Sequence, residues 1–238
     1  MTVAGSTSVQ PFAEKLAEEF MAEHPEFNIN IQGGGSSAGV RAAQTGAAQI
    51  GMSSRNLKEK EKGLFETVIA YDGIAVIVHR DNPLDALSRE QAAGIFAGDY
   101  SNWQQLGGAE GSVHFVAREE GSGTRGAFEK MVMGERDISL RALVQASNGA
   151  VREIVARDPG SIGYISLGLV DHRVKALAVD GAEATRDSII AKEYKLVRPF
   201  LFLTQEEPAG TARAFIDFIT GPTGQELLSA EGLIPGEQ

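Results

Sequence analysis

Three clusters of serine, threonine and glycine each stand at the head of a segment with helical character. They are Gly5-Ser6-Thr7-Ser8, Gly33-Gly34-Gly35-Ser36-Ser37 and Gly121-Ser122-Gly123-Thr124-Arg125. The first turn of a helix leaves four backbone N–H groups without helical partners, and the helix dipole adds roughly half a positive charge there. Hydroxyl side chains at such a helix start supply further donors. The three clusters therefore predict a buried site for a tetrahedral oxyanion.

The third cluster follows a charged stretch, Arg118-Glu119-Glu120. Guanidinium groups at Arg118 and Arg125 can bind an oxyanion through two parallel hydrogen bonds, and Gly123 lets the backbone approach a ligand closely. The alternative for this segment alone is an exposed turn with solvated charges, because Ser and Thr also cap helices. The presence of three such clusters in one chain favours the binding site.

The second cluster also satisfies the nucleophile-elbow pattern G-x-S-x-G, with Ser37 as the candidate nucleophile. A serine hydrolase is therefore an alternative function. Such an enzyme would also need an acid and a positioned histidine further along the chain. The available residues are His79, His114 and His172, and none lies in a recognisable loop signature.

Other catalytic and cofactor motifs fit poorly. The stretch Gly121–Gly126 matches G-x-G-x-x-G, but charged residues separate it from the preceding strand and no acidic residue follows at the required distance. The chain contains no Gly-Lys-Ser/Thr sequence, no cysteine and no metal-binding signature such as H-E-x-x-H. The sequence predicts neither a cofactor nor a metal site.

Length and charge narrow the possible partners. The 238 residues are enough for one large domain or two small ones, and the net charge of −10 argues against nucleic acid. No run of 18 apolar residues occurs, and Met1 leads directly into the strand-like Thr2-Val3-Ala4. We therefore expect no signal peptide or membrane span, and either a cytoplasmic protein or a mature fragment without its leader.

Strand patterns and helix patterns alternate along the chain. Phe12, Leu16 and Phe20 recur at helical spacing, whereas residues 27–31 alternate as a strand does. Ser88-Arg89-Glu90-Gln91 has the form of a capping box and predicts a helix through Phe96. This alternation predicts α/β layers with largely parallel sheets. Further strands are expected at residues 50–52, 68–70, 74–78, 113–117, 162–165 and 196–203, and further helices after residues 40, 124, 148 and 211.

Taken together, these motifs resemble the phosphate-binding proteins that serve bacterial phosphate ABC transporters. The likeness extends over nearly the whole chain, and the combination of motifs is specific where any one alone is weak. Besides the three clusters, the matching stretches are Ile50-Gly51-Met52-Ser53-Ser54-Arg55, Asp158-Pro159-Gly160-Ser161-Ile162-Gly163-Tyr164, Phe215-Ile216-Asp217-Phe218 and Gly232-Leu233-Ile234-Pro235.

The resemblance implies a type II periplasmic-binding-protein fold, in which two α/β lobes are joined by two crossing strands and hold the ligand in a cleft. We place the crossings near Asp72 and Arg198. The first lobe would then be discontinuous, with residues 1–72 and 199–238, and the second lobe would comprise residues 73–198.

The resemblance also assigns phosphate contacts, and it shows one departure from the family pattern. Where Ser54 stands, the family commonly has an aspartate that accepts the proton of phosphate and so discriminates against sulfate. We hypothesise that Glu120 supplies this acceptor, with Ser54 helping and Arg55 closing the opposite face. The predicted phosphate-binding residues are Thr7, Ser8, Ser36, Ser37, Ser54, Arg55, Arg118, Glu120, Ser122, Gly123 and Thr124.

The resemblance predicts a function in transport without catalysis. The protein would bind inorganic phosphate by hinge closure outside the cytoplasm, in the periplasm, and deliver it to a membrane permease. We expect a monomer that binds no nucleic acid. A sensing or interaction module that uses the same phosphate site is a further alternative.

Overall fold

A computed structural model of the chain describes residues 1–236, and it contains strands and helices in alternation. The strands are β1 (Thr2–Gly5), β2 (Asn30–Gly33), β3 (Ile50–Ser53), β4 (Phe65–His79), β5 (Ala86–Leu87), β6 (His114–Arg118), β7 (Leu143–Gln145), β8 (Ser161–Ser166), β9 (Val174–Ala176), β10 (Ala178–Val179), β11 (Val197–Thr204) and β12 (Ile234–Pro235). The α-helices are α1 (Gln10–Glu23), α2 (Ser36–Thr45), α3 (Arg89–Ala97), α4 (Gly123–Phe128), α5 (Asn148–Arg157), α6 (Arg186–Ile190), α7 (Gly210–Thr220) and α8 (Pro222–Ala230).

The chain divides into two compact units. The first unit contains Met1–Asp72, Gly121–Gly123 and Arg198–Gln238, and the second contains Gly73–Glu120 and Thr124–Val197. The chain therefore passes between units within β4, around Gly121–Gly123 and at the start of β11. Relative to the boundaries expected from the sequence, the first unit gains Arg198 and the glycine segment, because both make contacts with it that are described below.

In the first unit, the strands lie in the order β2-β1-β3-β11-β4, with β12 beside β4. β1 is parallel to β2 and β3, whereas β11 is antiparallel to β3. The apolar face of α1 supplies part of the core. Phe12 packs 5.9 Å from Phe200, and Phe20 packs 5.4 Å from Phe215, measured between ring centroids.

In the second unit, β4 lies between β9 and β8, and β6 and β7 follow β8. The β5 and β10 strands form a separate two-stranded sheet. Aromatic rings fill one side of the core, where Phe128 stacks on Tyr164 at 4.0 Å and Phe96 packs edge-on at 4.9 Å from Phe128. These contacts pack α4 against α3 and β8.

Two expectations about strands were wrong. Residues 27–31 do not form one strand, because Phe27 leaves the alternating pattern to stack on Phe20 at 5.4 Å, and β2 begins only at Asn30. The sheets are also mixed rather than largely parallel, since β4 pairs antiparallel with both β8 and β9. β4 is a single strand through Asp72, which the sequence analysis took as a crossing point between lobes.

The predicted helix starts are present. α1, α2 and α4 each begin within or just after one of the three clusters. The Ser6 carbonyl accepts from the amides of Val9 and Gln10, which closes the turn before α1. Ser88 caps α3 through a capping box in which its side chain accepts from the Gln91 amide. The helix starts could therefore be identified from local residue chemistry alone.

Candidate functional site

Four buried serines form a connected cluster in the first unit. The Ser6 hydroxyl donates to the Ser54 hydroxyl at 2.9 Å, and the Ser54 amide donates to the Ser36 hydroxyl at 3.0 Å. Ser36 Oγ lies 3.4 Å from Ser54 Oγ, and the Ser8 amide donates to Ser6 Oγ at 3.2 Å. The structure thus brings three predicted ligands, Ser8, Ser36 and Ser54, together at the starts of α1 and α2.

A buried ion pair lies directly beside this cluster. Arg198 donates to Asp72 Oδ2 from Nε at 3.0 Å and from Nη2 at 2.9 Å, and the two side chains are 2% and 0% exposed. The same guanidinium donates to Ser54 Oγ at 3.2 Å and to Ser8 Oγ at 3.2 Å. Asp72 thereby balances the charge of an arginine whose remaining donors hold two site hydroxyls.

Close backbone packing holds α2 in position. A Cβ atom on Gly39 would lie 2.4 Å from the Met52 carbonyl oxygen and 2.9 Å from Gly5 Cα. The helix can therefore lie against β1 and β3 only because residue 39 has no side chain. This contact places Ser36 next to Ser54, which follows β3 directly.

Gly123, in the third cluster, lies close to the hydroxyls of Ser36 and Ser54. A Cβ on Gly123 would lie 2.1 Å from Ser36 Oγ and 2.4 Å from Ser54 Oγ. In addition, the Ser37 amide donates to the Gly121 carbonyl at 3.0 Å. These contacts explain why the glycine segment belongs to the first unit. Of the other predicted ligands, Ser122 is buried in this segment and Thr7 is half-buried.

Arg55 makes a buried, bidentate ion pair with Glu61. Its Nη1 and Nη2 groups lie 2.7 and 2.9 Å from the two carboxylate oxygens, and Nη2 also donates to Ser37 Oγ at 3.2 Å. Burial raises the pKa of Glu61, but the hydrogen bonds from Arg55 and from the Lys58 amide outweigh burial and hold that pKa below 4.5. Arg55 therefore holds the Ser37 hydroxyl in place, and Glu61 balances the charge of Arg55.

Arg118 belongs to the second unit and is 1% exposed. Its Nε and Nη2 groups donate to the Glu119 carboxylate at 2.9 and 3.0 Å, and the Gln145 and Ala146 carbonyls accept further hydrogen bonds. The Arg118 amide donates to the Tyr164 hydroxyl at 3.1 Å. The side chain is thus held rigidly at the end of β6.

The remaining predicted ligands lie near Arg118 in the sequence. Thr124 is buried at the start of α4, whereas Glu120 is exposed. Arg125 pairs with Glu129 at 2.7 Å and donates to the Arg118 carbonyl at 3.0 Å. All these residues belong to the second unit, and their contact with a ligand stays a prediction.

The surroundings of Ser37 differ from those of a hydrolase nucleophile. Its hydroxyl accepts a hydrogen bond from the Arg55 guanidinium, whereas a hydrolase nucleophile donates its hydrogen to a basic histidine. His114 Nδ1 instead lies 2.7 Å from Asp158 Oδ2.

Within residues 1–236, no helix is long and apolar enough to cross a membrane.

Sequence reasoning missed the contacts of Asp72 and Arg198 with the serine cluster, because it treated both residues only as crossing points between lobes. A signal was available, because Asp72 interrupts the apolar run from Val68 to Val78 and buried charges require partners. Ser6 and Glu61 were also not selected as site residues, although both hold predicted ligands in place.

Comparison with known proteins places the chain in one family. A family model described as the PBP superfamily domain matches residues 1–223. The phosphate-binding protein PstS of Bacillus subtilis is 32% identical, covering 99% of this chain and 80% of that protein. PstS of Borreliella burgdorferi is 27% identical, covering 98% of this chain and 89% of its relative.

Solved structures agree with this assignment. A Clostridium perfringens protein described as a phosphate ABC transporter substrate-binding protein, crystallised with bound phosphate, has a TM-score of 0.96 and 41% identity over 100% of this chain and 99% of that one. An ABC-type phosphate transport receptor from Vibrio cholerae has a TM-score of 0.82 and 38% identity over 99% of this chain and 100% of that one. The predicted type II periplasmic-binding-protein fold is confirmed, and this family consists of binding proteins rather than enzymes. The chain therefore belongs to the PBP superfamily, in which its relatives are named phosphate-binding proteins.

Proposed function

We propose that this chain binds inorganic phosphate as the solute-binding protein of an ABC transporter. The observation that carries the proposal is the buried cluster of serine hydroxyls at the starts of α1 and α2. Hydroxyl and backbone N–H donors at helix starts suit a tetrahedral oxyanion, and they need no unbalanced positive charge. The relatives named PstS and the phosphate-bound Clostridium perfringens protein support the same ligand.

The proposal extends to residues from each unit. In the first unit, the hydroxyl and backbone groups around Ser54 bind phosphate oxygens, while Arg55 supports Ser37. In the second unit, Arg118 supplies a guanidinium that is already held rigid by Glu119. Beyond these, the proposed phosphate contacts are Thr7, Ser8, Ser36, Ser37, Ser122, Gly123 and Thr124, with Glu120 as the proposed proton acceptor.

Partner and location form a second part of the proposal. The protein acts outside the cytoplasm and passes phosphate to a membrane permease, and the descriptions of its solved relatives as ABC-transporter proteins support the permease as partner. It acts as a monomer and binds no nucleic acid. Light scattering of the purified protein, with and without phosphate, tests the monomeric state.

Thermal unfolding with and without phosphate tests the proposed ligand. A ligand present at 100 times its Kd and bound only by the folded state adds about 2.7 kcal/mol to the free energy of unfolding. We therefore expect phosphate, but not chloride at equal ionic strength, to raise the melting temperature. Ser36→Ala should reduce this increase. If phosphate leaves the melting temperature of the native protein unchanged, the proposed function is contradicted.

A further inference from the structure

The contacts of Arg198 bear on how the hydroxyl cluster binds its ligand. One guanidinium joins the Asp72 carboxylate to the hydroxyls of Ser8 and Ser54, at distances of 2.9 to 3.2 Å. All four side chains are buried and belong to the first unit. Arg198 is thus positioned to set the orientation of groups that the proposed function assigns to phosphate binding.

The hydrogen-bonding capacity of Ser54 restricts what its hydroxyl can do. A serine hydroxyl has one hydrogen and two acceptor lone pairs. Ser54 Oγ accepts from Ser6 at 2.9 Å and from Arg198 at 3.2 Å, so both lone pairs are occupied. Its own hydrogen is directed either to Ser36, 3.4 Å away, or to a ligand. Ser54 therefore acts as a donor and is not suited to accept the proton of phosphate.

The hydrogen-bonding capacity of the Ser36 hydroxyl is restricted in the same way. If Ser54 donates to Ser36, then Ser36 Oγ accepts from both the hydroxyl and the amide of Ser54, and its own hydrogen is left to donate. In either arrangement, one hydroxyl hydrogen of this pair remains for an oxyanion. A hydroxyl that accepts a hydrogen bond from a cation is also polarised toward being a stronger donor.

We propose that Arg198, held by Asp72, is a positioning residue that orients the hydroxyls of Ser8 and Ser54 as hydrogen-bond donors to phosphate. The proposal rests on the proposed function, because it concerns the same site. Asp72 keeps the guanidinium in place and balances its charge. The effect of Arg198 on binding is therefore exerted through the two serines.

A double-mutant cycle measures this dependence, with the phosphate Kd determined by calorimetry. Arg198→Lys keeps the positive charge, but an ammonium group cannot hold Asp72 and both serines in the same fixed geometry. We expect Arg198→Lys to weaken phosphate binding about tenfold in the native background, the loss of one to two oriented hydrogen bonds. In a Ser8→Ala/Ser54→Ala background, the same change should alter the Kd less than about twofold, because the groups it acts through are gone.

A second variant keeps the test possible if Arg198→Lys misfolds. Removing one member of a buried ion pair is destabilising, whereas replacing both by neutral residues of similar size is often tolerated. Asp72→Asn/Arg198→Met should therefore fold. It should show the same loss of phosphate affinity in the native background and the same small change in Kd in the Ser8→Ala/Ser54→Ala background. Arg213→Lys, at an exposed ion pair with Asp217 on α7, is the matched control and should leave the Kd unchanged.

Each outcome of the cycle either supports or overturns the proposal. Equal losses in the two backgrounds would overturn the proposal, because Arg198 would then contact phosphate itself or act through the general structure. An unchanged Kd in the native background would also overturn it. If the native protein binds no phosphate, the proposed function fails together with this inference, whereas binding without coupling rejects only the inference.

Discussion

At the scale of single residues, charge balance distinguishes this site from a simple cationic pocket. Arg55 pairs with Glu61, Arg198 with Asp72 and Arg118 with Glu119. Each of these pairs has no net charge, so most of the donors that we propose for phosphate are hydroxyl and amide groups. The net charge of −10 is therefore compatible with anion binding, because the binding groups act over a few ångströms and surface charge is screened over about 8 Å at physiological salt.

Gly123→Ala tests the closeness of the glycine segment to the hydroxyl cluster. The added Cβ would lie 2.1 Å from Ser36 Oγ, so the hydroxyl must move. We expect phosphate affinity to fall at least about tenfold, since a displaced hydroxyl loses its hydrogen bond to the ligand. Calorimetry gives the Kd. Gly111→Ala is the control, because its Cβ would meet only Trp103 Cδ1 at 4.0 Å, and an equal effect of both changes would contradict this explanation.

Glu120→Gln tests the hypothesis that Glu120 accepts the proton of phosphate. Phosphate, unlike sulfate, carries at least one proton at neutral pH, so an acceptor carboxylate would favour phosphate. If the hypothesis holds, the ratio of sulfate Kd to phosphate Kd falls in Glu120→Gln, as measured by paired titrations. The exposed position of Glu120 makes Glu110→Gln, another exposed carboxylate, a suitable control. An unchanged ratio rejects the role.

At the scale of elements, the site depends on how α2 packs. Local chemistry predicted the starts of α1, α2 and α4, because each start needs only small and hydroxyl residues nearby in the sequence. The pairing of Ser36 with Ser54 could not be predicted in the same way. It depends on the contact between Gly39 and the backbone of β1 and β3, which joins segments distant in the chain.

Gly39→Ala should affect both stability and binding. Its Cβ would lie 2.4 Å from the Met52 carbonyl and 2.8 Å from the Ala4 carbonyl, and neither backbone group can rotate away. Overpacking of this kind costs about 1–3 kcal/mol of unfolding free energy, and displaced Ser36 would weaken phosphate binding. Urea unfolding and calorimetry measure the two effects. Arg41→Ala, on the exposed face of the same helix, is the control and should change neither stability nor phosphate affinity. If Gly39→Ala also leaves both unchanged, α2 is free to shift and the explanation is wrong.

At the scale of the whole molecule, the family resemblance predicted more than the residue patterns did. The motif set led to the fold that the structure and its relatives show, whereas the alternation of strands and helices alone suggested largely parallel sheets. Asp72 lies within a continuous strand because Arg198, 126 positions away, balances its charge. A pairing over that distance in the chain leaves no local pattern, so it could be recognised only as an unexplained charge in an apolar run.

Acid should destabilise the folded protein in part through Glu61. The pKa of Glu61 is lowered in the folded state, so its contribution to stability is present above about pH 4.5 and is lost as the pH falls through the folded pKa. In urea unfolding from pH 3 to pH 7, the stability difference between native protein and Glu61→Gln should be largest at neutral pH and shrink in acid. A difference that does not change with pH would contradict the assigned ion pair. Glu59→Gln, at an exposed neighbour, is the control.

Calorimetric titration of the ligand-free protein with phosphate and with sulfate at pH 7 tests the central claim most directly. We predict tight binding of one phosphate per chain and a much weaker response to sulfate. Binding of neither anion would contradict the assignment as a phosphate-binding protein, and equal binding of both would make the chain a general oxyanion receptor.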